Sequence, residues 1–327
     1  MDTTELKTLP DLTEAEFEIT AFTCTYNRAD TLRRTYKSLC NQTVRNFEWI
    51  VYDNGSTDNT RELVTKWKSE ADFPIVILSR PDNSGYQRSF NHGVKAAKGY
   101  FWLQLDSDDE VVPNAFSRMV ELWRAIPDGE KPNFTGVTVN CVDQHGKLFG
   151  EEFPYNPTDS NSIEIFYKHG IRDEKFGMHR VDVIKDYPFP DVEDHVNAGL
   201  VWTAIAQDYQ TRFVNESLRI YYVEEEGRPD QLTFHTGLAD NAVGRRMNHM
   251  HSLNEHLGWF MHNPLQFIKH AVVYAVCSQA LSIGMAKATA DIKPFFGRLL
   301  VISVYPFALM YTLNRKLLET VEPLKKV

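Results

Sequence analysis

An α/β fold with a doubly wound, mostly parallel sheet is predicted by three observations. Short strand-forming runs alternate with helix-spaced segments through the first third of the 327-residue chain. Two polar, acidic turns close the second and fourth of those runs. The last third then changes character and reads as long helical runs. Strands that recur after helices make a parallel sheet, and such sheets bind ligands in the crevice at the carboxyl ends of their strands.

The first strand is expected in FEITAFTC (17–24), followed by helical spacing at Leu32, Tyr36 and Leu39. The second is FEWIVYD (47–53), followed by Leu63, Val64 and Trp67, and the third is FPIVILS (73–79), followed by Phe90, Val94 and Ala97. The fourth, YFWLQLD (100–106), delivers Asp106, Asp108, Asp109 and Glu110 into one turn, and a helix near 113–125 begins at Pro113. NFTGVTVNCVDQHGKLF alternates like a hairpin turning at Gln144 to Gly146, and is expected to close the far edge of the sheet. A helix from about Glu193 to Gln207 precedes two strand-like pieces, QTRFVN and LRIYYVE. From about residue 240 the pattern stays helical, with apolar runs at 267–285 and 298–316, the second interrupted by Pro306. Neither run is expected to supply the roughly 20 uninterrupted apolar residues of a transmembrane helix.

Composition narrows the classes. Hydrophobic residues at 43% and charged residues at 24% are ordinary for a globular protein. A net charge of −9 argues against nucleic acid as a partner, because a phosphate backbone would be repelled. Cys24, Cys40, Cys141 and Cys277 show no CxxC pairing, which fits reduced thiols in the cytoplasm, and the polar, acidic start lacks the features of a secretory signal. From Lys287 to Val327 seven basic residues face three acids, against the sign of the chain. Two readings stand for this segment: peripheral contact with an anionic membrane, or a helical lid packed on the catalytic domain or on a second subunit as a homodimer.

Carboxylates crowded at a strand end repel one another unless a cation offsets them. Hard carboxylate oxygens favour Mg²⁺ or Mn²⁺, ions that leave positions open for substrate phosphates. The competing reading of DSDDE is an acidic helix N-terminus stabilised by the dipole.

The order TYNRADTLRRTYKSLCNQT, FEWIVYDNGSTDNT, NSGYQRSFNHGVKAAKGYFWLQLDSDD resembles the nucleotide-sugar-binding half of family 2 glycosyltransferases of the GT-A fold, over residues 18 to 125. The resemblance implies an inverting, metal-dependent glycosyltransferase of polysaccharide biosynthesis. Its donor would be a nucleoside-diphosphate sugar, UDP-linked by preference, and its acceptor a glycan or lipid-linked hydroxyl. Thr25 and Tyr26 would line base and ribose, with Asp53 and Asn54 at the pyrimidine; the family often has Asp where Asn54 stands. Asp106 and Asp108 match the Asp-x-Asp pair that holds ribose and the metal-bound diphosphate, with Asp109 as a neighbouring ligand or sugar contact. Asn83 and Arg88 are weaker matches: Asn83, with Gly85, also suits a turn, and Phe90 rather than Arg precedes Asn91, which leaves Arg88 as a phosphate or sugar contact or a solvated helix charge. Further on, the Glu193-Asp194 pair resembles the family's Glu-Asp helix that supplies the catalytic base, with Asp194 toward the acceptor and Glu193 as support, or the reverse, and NESLRIY resembles the Asn-Glu-x-Leu-Arg-x-Tyr strand that follows it. His179 is a further candidate to approach the metal or diphosphate; turn formation by Asp53, a helix cap by Glu193 and Asp194, and a core or surface place for His179 are the structural alternatives.

The domains expected are a GT-A catalytic domain over 1–235, divided at 125/126 into nucleotide-sugar and acceptor halves, and a helical region over 236–327. Two other functions share parts of the pattern. A sugar-1-phosphate nucleotidyltransferase would need a Gly-rich triphosphate loop where TYNRAD stands. A non-catalytic Mg²⁺-binding signalling module would carry its acids after the first strand.

Overall fold

The computed structural model describes residues 15–81, 85–192, 195–223 and 241–321, with side chains to residue 313. The chain divides into two compact units, one formed by Met1–Phe189 with Val201–Arg228 and the other by Pro190–Leu200 with Pro229–Val327.

In the first unit, β1 (Phe17–Thr25), α1 (Leu32–Cys40), β2 (Phe47–Asp53), α2 (Thr60–Glu70), β3 (Ile75–Ser79), α3 (Tyr86–Ala96) and β4 (Gly99–Gln104) alternate as expected. There follow β5 (Glu110–Val111), α4 (Ala115–Arg124), β6 (Phe134–Asp143), β7 (Leu148–Phe149), β8 (Thr158–Ser160), α5 (Ser162–Tyr167), β9 (Phe176–Arg180), α6 (Val181–Asp186), α7 (Gly199–Asp208, whose first two residues are counted with the other unit) and β10 (Gln210–Tyr221). The main path of the sheet runs β3-β2-β1-β4-β9-β6-β10-β5. The β3-β2-β1-β4 block is parallel, and β9 joins it antiparallel to β4.

β2 is buried along its whole length, the signature of a strand covered on both faces. On one face Tyr36 and Trp67 stack at 4.4 Å within the main core, beside Trp49. On the other, Phe22 and Trp102 stack at 4.6 Å. α3 reaches that pair through Gly93, where a Cβ would fall 2.4 Å from Phe22, so only glycine allows the approach.

Three expectations need correction. The hairpin does exist, with Asp143 accepting from Gly146 N at 3.0 Å, but β6 lies inside the sheet between β9 and β10. It is not the far edge, because later segments pair on both its sides. The two pieces after α7 form one strand, β10, whose register against β6 shifts around Ser217. α7 begins at Gly199, since Asn197 Oδ1 accepts from Gly199 N at 2.7 Å and sets up the first turn there. Glu193 and Asp194 lie outside the described residues.

The second unit holds α8 (Ala242–Glu255), α9 (Pro264–Ala280), α10 (Met285–Ala290) and α11 (Phe295–Val321). Its core is Leu253, Tyr274, Val276, Ile292, Val301 and Tyr305 with their neighbours. Pro306 sits inside α11 without ending it. The stretch Phe295–Leu313 is consequently 19 residues long and apolar enough to cross a membrane by length and composition, with 28% of its most apolar window buried. Val301, Val304, Tyr305 and Ala308 face inward, while Phe295, Leu299, Ile302, Leu309 and Leu313, spaced by threes, fours and a seven, remain exposed. His249 and His270 face each other, as do His251 and His256, yet among the described residues no three His, Cys, Asp or Glu side chains are placed to hold a metal.

Candidate active site

Two turns meet at the carboxyl ends of neighbouring strands. After β1 the chain turns through Tyr26 and Asn27, and after β2 through Asp53 to Thr60. Asn54 N donates to Thr25 O at 2.9 Å, joining the two strand ends. Asn27 adopts a left-handed φ of 51°, tolerable for Asn, and its Oδ1 accepts from Thr57 N at 2.7 Å. Asp58 Oδ2 accepts from Ala29 N at 3.2 Å, and Oδ1 from Thr60 N at 3.0 Å. Burial alone would raise the Asp58 carboxyl, but hydrogen bonds from Thr60 and Ala29 hold it below the usual value.

Asp53, 3% exposed, accepts from Ser56 N at 3.0 Å, which is an Asx turn completed by Gly55 at φ 77°. The turn leaves its second carboxylate oxygen without a described hydrogen bond. Asn54 is buried with both amide ends engaged, donating to Cys24 Sγ at 3.0 Å and accepting from Ser89 Oγ at 2.7 Å. Thr25 Oγ1 is buried with no hydrogen-bond partner among the described residues, a costly state unless a ligand satisfies it. Tyr26 is 42% exposed. Arg88 lies half-buried on the first turn of α3, and Asn83 is outside the described residues.

The turn after β4 is held by residues from far along the chain. Thr23 Oγ1 donates to Leu105 O at 2.8 Å, and Thr35 Oγ1 to Asp109 O at 2.9 Å. Arg219, on β10 with its side chain 3% exposed, donates through Nη2 to Asp106 Oδ2 at 2.6 Å and through Nε to Asp109 Oδ2 at 2.8 Å. Its Nη1 reaches Glu174 Oε1 at 3.4 Å. Tyr222 N donates to Asp109 Oδ1 at 2.9 Å, and Tyr222 OH to Glu110 at 2.8 Å. Burial pushes the Asp109 carboxyl up to about 6 despite the guanidinium beside it. Asp106 also accepts from Gln104 Nε2 at 3.2 Å, and the other end of that amide accepts from Tyr86 OH. Asp108 is half-buried and makes no described hydrogen bond.

The donor set suits a hard divalent ion. Asp108 makes no hydrogen bond among the described residues, and Asp106 keeps 42% of its side chain exposed while paired. Mg²⁺ and Mn²⁺ sites of this kind use one or two carboxylates and draw further oxygens from water and substrate phosphates. His179 does not belong to the set: its ring stacks on Trp202 at 4.7 Å, and burial lowers its pKa to about 4.

Arg219, Glu174, Gln104, Tyr86 and Tyr222 were not among the site residues read from the sequence. Two signals were available for Arg219: it stands in NESLRIY, the stretch that resembles the Asn-Glu-x-Leu-Arg-x-Tyr strand, and an arginine inside the apolar strand LRIYY must find buried acids or leave the sheet.

Comparison with known proteins follows the same geography. Residues 20–187, from β1 through α6, match the family described as Glycosyl transferase family 2. A Campylobacter jejuni relative, GalNAc(5)-diNAcBac-PP-undecaprenol beta-1,3-glucosyltransferase, is 26% identical over 223 residues, 67% of each chain. A Staphylococcus aureus poly-beta-1,6-N-acetyl-D-glucosamine synthase is 34% identical over 119 residues, which span 36% of this chain and 28% of that one. Among solved structures, S. aureus TarS in complex with UDP-GlcNAc superposes with a TM-score of 0.59 at 16% identity, covering 89% of this chain and 90% of that one, and so shares the GT-A fold. With the match covering over half of its length and both acidic turns, the chain belongs to glycosyl transferase family 2 and is a glycosyltransferase.

Proposed function

We propose that this glycosyltransferase moves a sugar, with inversion, from a UDP-linked donor to a hydroxyl of a lipid-linked glycan at the cytoplasmic face of a membrane. The observation that carries the donor side is that the orphaned Thr25 hydroxyl, the Asx-turned Asp53 and the Asp108 carboxylate, which has no described hydrogen bond, stand at or just past the carboxyl ends of the adjacent strands β1, β2 and β4. Thr25, Tyr26 and the second oxygen of Asp53 hold the nucleoside. Asn54 and Ser89 fix the floor beneath it through the amide contacts already made, and Arg88 approaches the donor from the start of α3.

Asp108 and the accessible edge of Asp106 would hold the divalent ion, Mn²⁺ or Mg²⁺, which when bound supplies positive charge beside the leaving diphosphate. Asp194 takes the acceptor proton as the hydroxyl oxygen forms a bond to the anomeric carbon and the diphosphate leaves with the electrons of the broken bond. Glu193 supports that base. Residues 1–235 would carry these steps, and 236–327 would form the helical region. The acidic turn on the fourth strand and the absence of a Gly-rich loop at TYNRAD favour this reading over nucleotidyl transfer or a signalling role.

The acceptor reading draws on the second unit. The exposed face of α11 carries no charge from Leu299 to Leu313, and basic residues stand before it at Lys287, Lys293 and Arg298 and after it at Arg315 and Lys316. A helix apolar on one flank and basic at its ends suits the surface of an anionic bilayer. The Campylobacter relative, named for a PP-undecaprenol-linked acceptor, agrees with it.

The test is a transfer assay with a panel of nucleotide sugars and a polyprenyl-diphosphate glycan. Mn²⁺-dependent release of UDP in the presence of that acceptor supports the proposal. Transfer only to soluble acceptors removes the lipid, and transfer only from GDP-sugars removes the uridine. In parallel, sedimentation with phosphatidylglycerol vesicles should bring down the wild type but not Phe295→Glu/Leu299→Glu. Equal sedimentation of both, or a stable dimer in solution that buries α11, contradicts the membrane face.

A further inference from the structure

The acid turn holds more carboxylates than one divalent ion needs, and the structure separates them by chemistry. Asp109 is 1% exposed and saturated: Arg219 engages Oδ2 through two nitrogens, and Tyr222 N donates to Oδ1 at 2.9 Å. Asp106 is gripped at both oxygens, by Arg219 Nη2 at 2.6 Å and by Gln104 Nε2 at 3.2 Å, yet remains open to solvent on one side. Asp108 has no described hydrogen bond at all.

We propose that Arg219 is a positioning residue that withdraws Asp109 from the metal site and fixes the rotamer of Asp106, so that Asp108 and a single edge of Asp106 form the ligand set. The inference rests on the metal-dependent reading above. Physically, a guanidinium presents a planar fork that can serve two carboxylates at once. Its fixed charge offsets the mutual repulsion of Asp106, Asp109 and Glu174 before any ligand arrives. Without it, the two carboxylates nearest Asp108 would be free to turn toward a cation. The ion would then be held by too many protein oxygens and would keep fewer positions for the diphosphate.

Arg219 comes from β10, more than 100 residues after the turn, and its placement follows from strand pairing. Arg219 pairs with Val111 and Ile220 with Glu110, so the antiparallel β5-β10 ladder sets the fork at the mouth of the turn. The same ladder brings Tyr222 N to Asp109. Asp109 is therefore an anchor that ties the turn to β10.

The experiment is a Mn²⁺ titration of the full chain read by electron paramagnetic resonance of the free ion, without nucleotide and without turnover. Asp108→Asn should weaken Mn²⁺ binding by about tenfold or more, whereas Asp109→Asn should leave it within about twofold. Arg219→Met should bind Mn²⁺ about tenfold tighter, because Asp109 is released toward the site, and that gain should vanish in Arg219→Met/Asp109→Asn. A merely structural role for Arg219 would change stability and leave Mn²⁺ affinity alone. Equal loss in Asp108→Asn and Asp109→Asn, or an unchanged or weaker affinity in Arg219→Met, overturns the proposal. Should Arg219→Met not fold, the contrast between Asp108→Asn and Asp109→Asn decides alone. Failure of the wild type to bind Mn²⁺ would instead take down the metal reading on which the proposal rests.

Discussion

The two turns at the carboxyl ends of β2 and β4 both carry acids, but they are satisfied in opposite ways. The turn after β2 is held by residues near it in the chain or on the adjoining β1 turn: Ser56 N on Asp53, Thr60 N on Asp58, Asn27 Oδ1 on Thr57. The turn after β4 depends on Arg219 and Tyr222, 110 and 113 positions beyond Asp109. A locally closed turn survives the loss of one bond, because its remaining hydrogen bonds still define it. The turn after β4 keeps its backbone ties to Thr23 and Thr35 when Arg219 is lost, but the charge of its buried Asp109 is then left without its cation.

The largest expected effect is therefore at Arg219. Arg219→Met leaves the buried Asp109 carboxylate uncompensated and should cost about 3–5 kcal/mol in urea unfolding. A loss under about 1 kcal/mol would show that the remote closure is dispensable and the contrast false. Next comes Asp108→Asn, which should lower transfer by about 100-fold, roughly 2.7 kcal/mol, with the melting temperature unchanged. The carboxylate has no hydrogen-bond partner to lose among the described residues. A large fall in melting temperature would place Asp108 among the anchors with Asp109.

Comparable in size but different in kind is a pH effect at His179. Its folded pKa, lowered to about 4 by burial against Trp202, lies below the unfolded value near 6.5. The unfolded chain then binds the proton first as pH falls from 6.5 to 4. Stability present above 6.5 is lost across that window, on the order of 1–3 kcal/mol. His179→Phe should flatten that part of the stability profile relative to wild type, as read by unfolding at pH 7 and pH 5. An identical pH slope in both would mean that the ring titrates freely.

Smallest is the local turn. Asn27→Ala removes an acceptor for two backbone N–H groups and forces a left-handed φ on alanine, so it should cost about 1–2 kcal/mol. A cost equal to that of Arg219→Met would erase the distinction between the turns.

This contrast also explains what could be read from the sequence. The alternation of strands and helices was visible because each element carries its own periodicity, as in the wholly apolar β2. Asp53 and the Asp106–Asp108 pair were visible because a turn at a strand end is a local signature. Arg219 escaped because its meaning lies in the pairing of β10 with β5, a register that no short stretch encodes. The interior place of β6 was missed for the same reason, since β9 and β10 reach its two sides only after long connections. Pro306 misled in the other direction: tertiary packing of Val301, Val304, Tyr305 and Ala308 carries α11 through it.

The most direct test of the central claim is calorimetric titration of UDP into the full chain with Mn²⁺ and again with a chelator. Metal-dependent binding is expected, at least about tenfold tighter with Mn²⁺, and abolished by Asp108→Asn. Equal affinity in chelator, or undiminished affinity in Asp108→Asn, would contradict the view that these carboxylates hold a cation for the donor diphosphate.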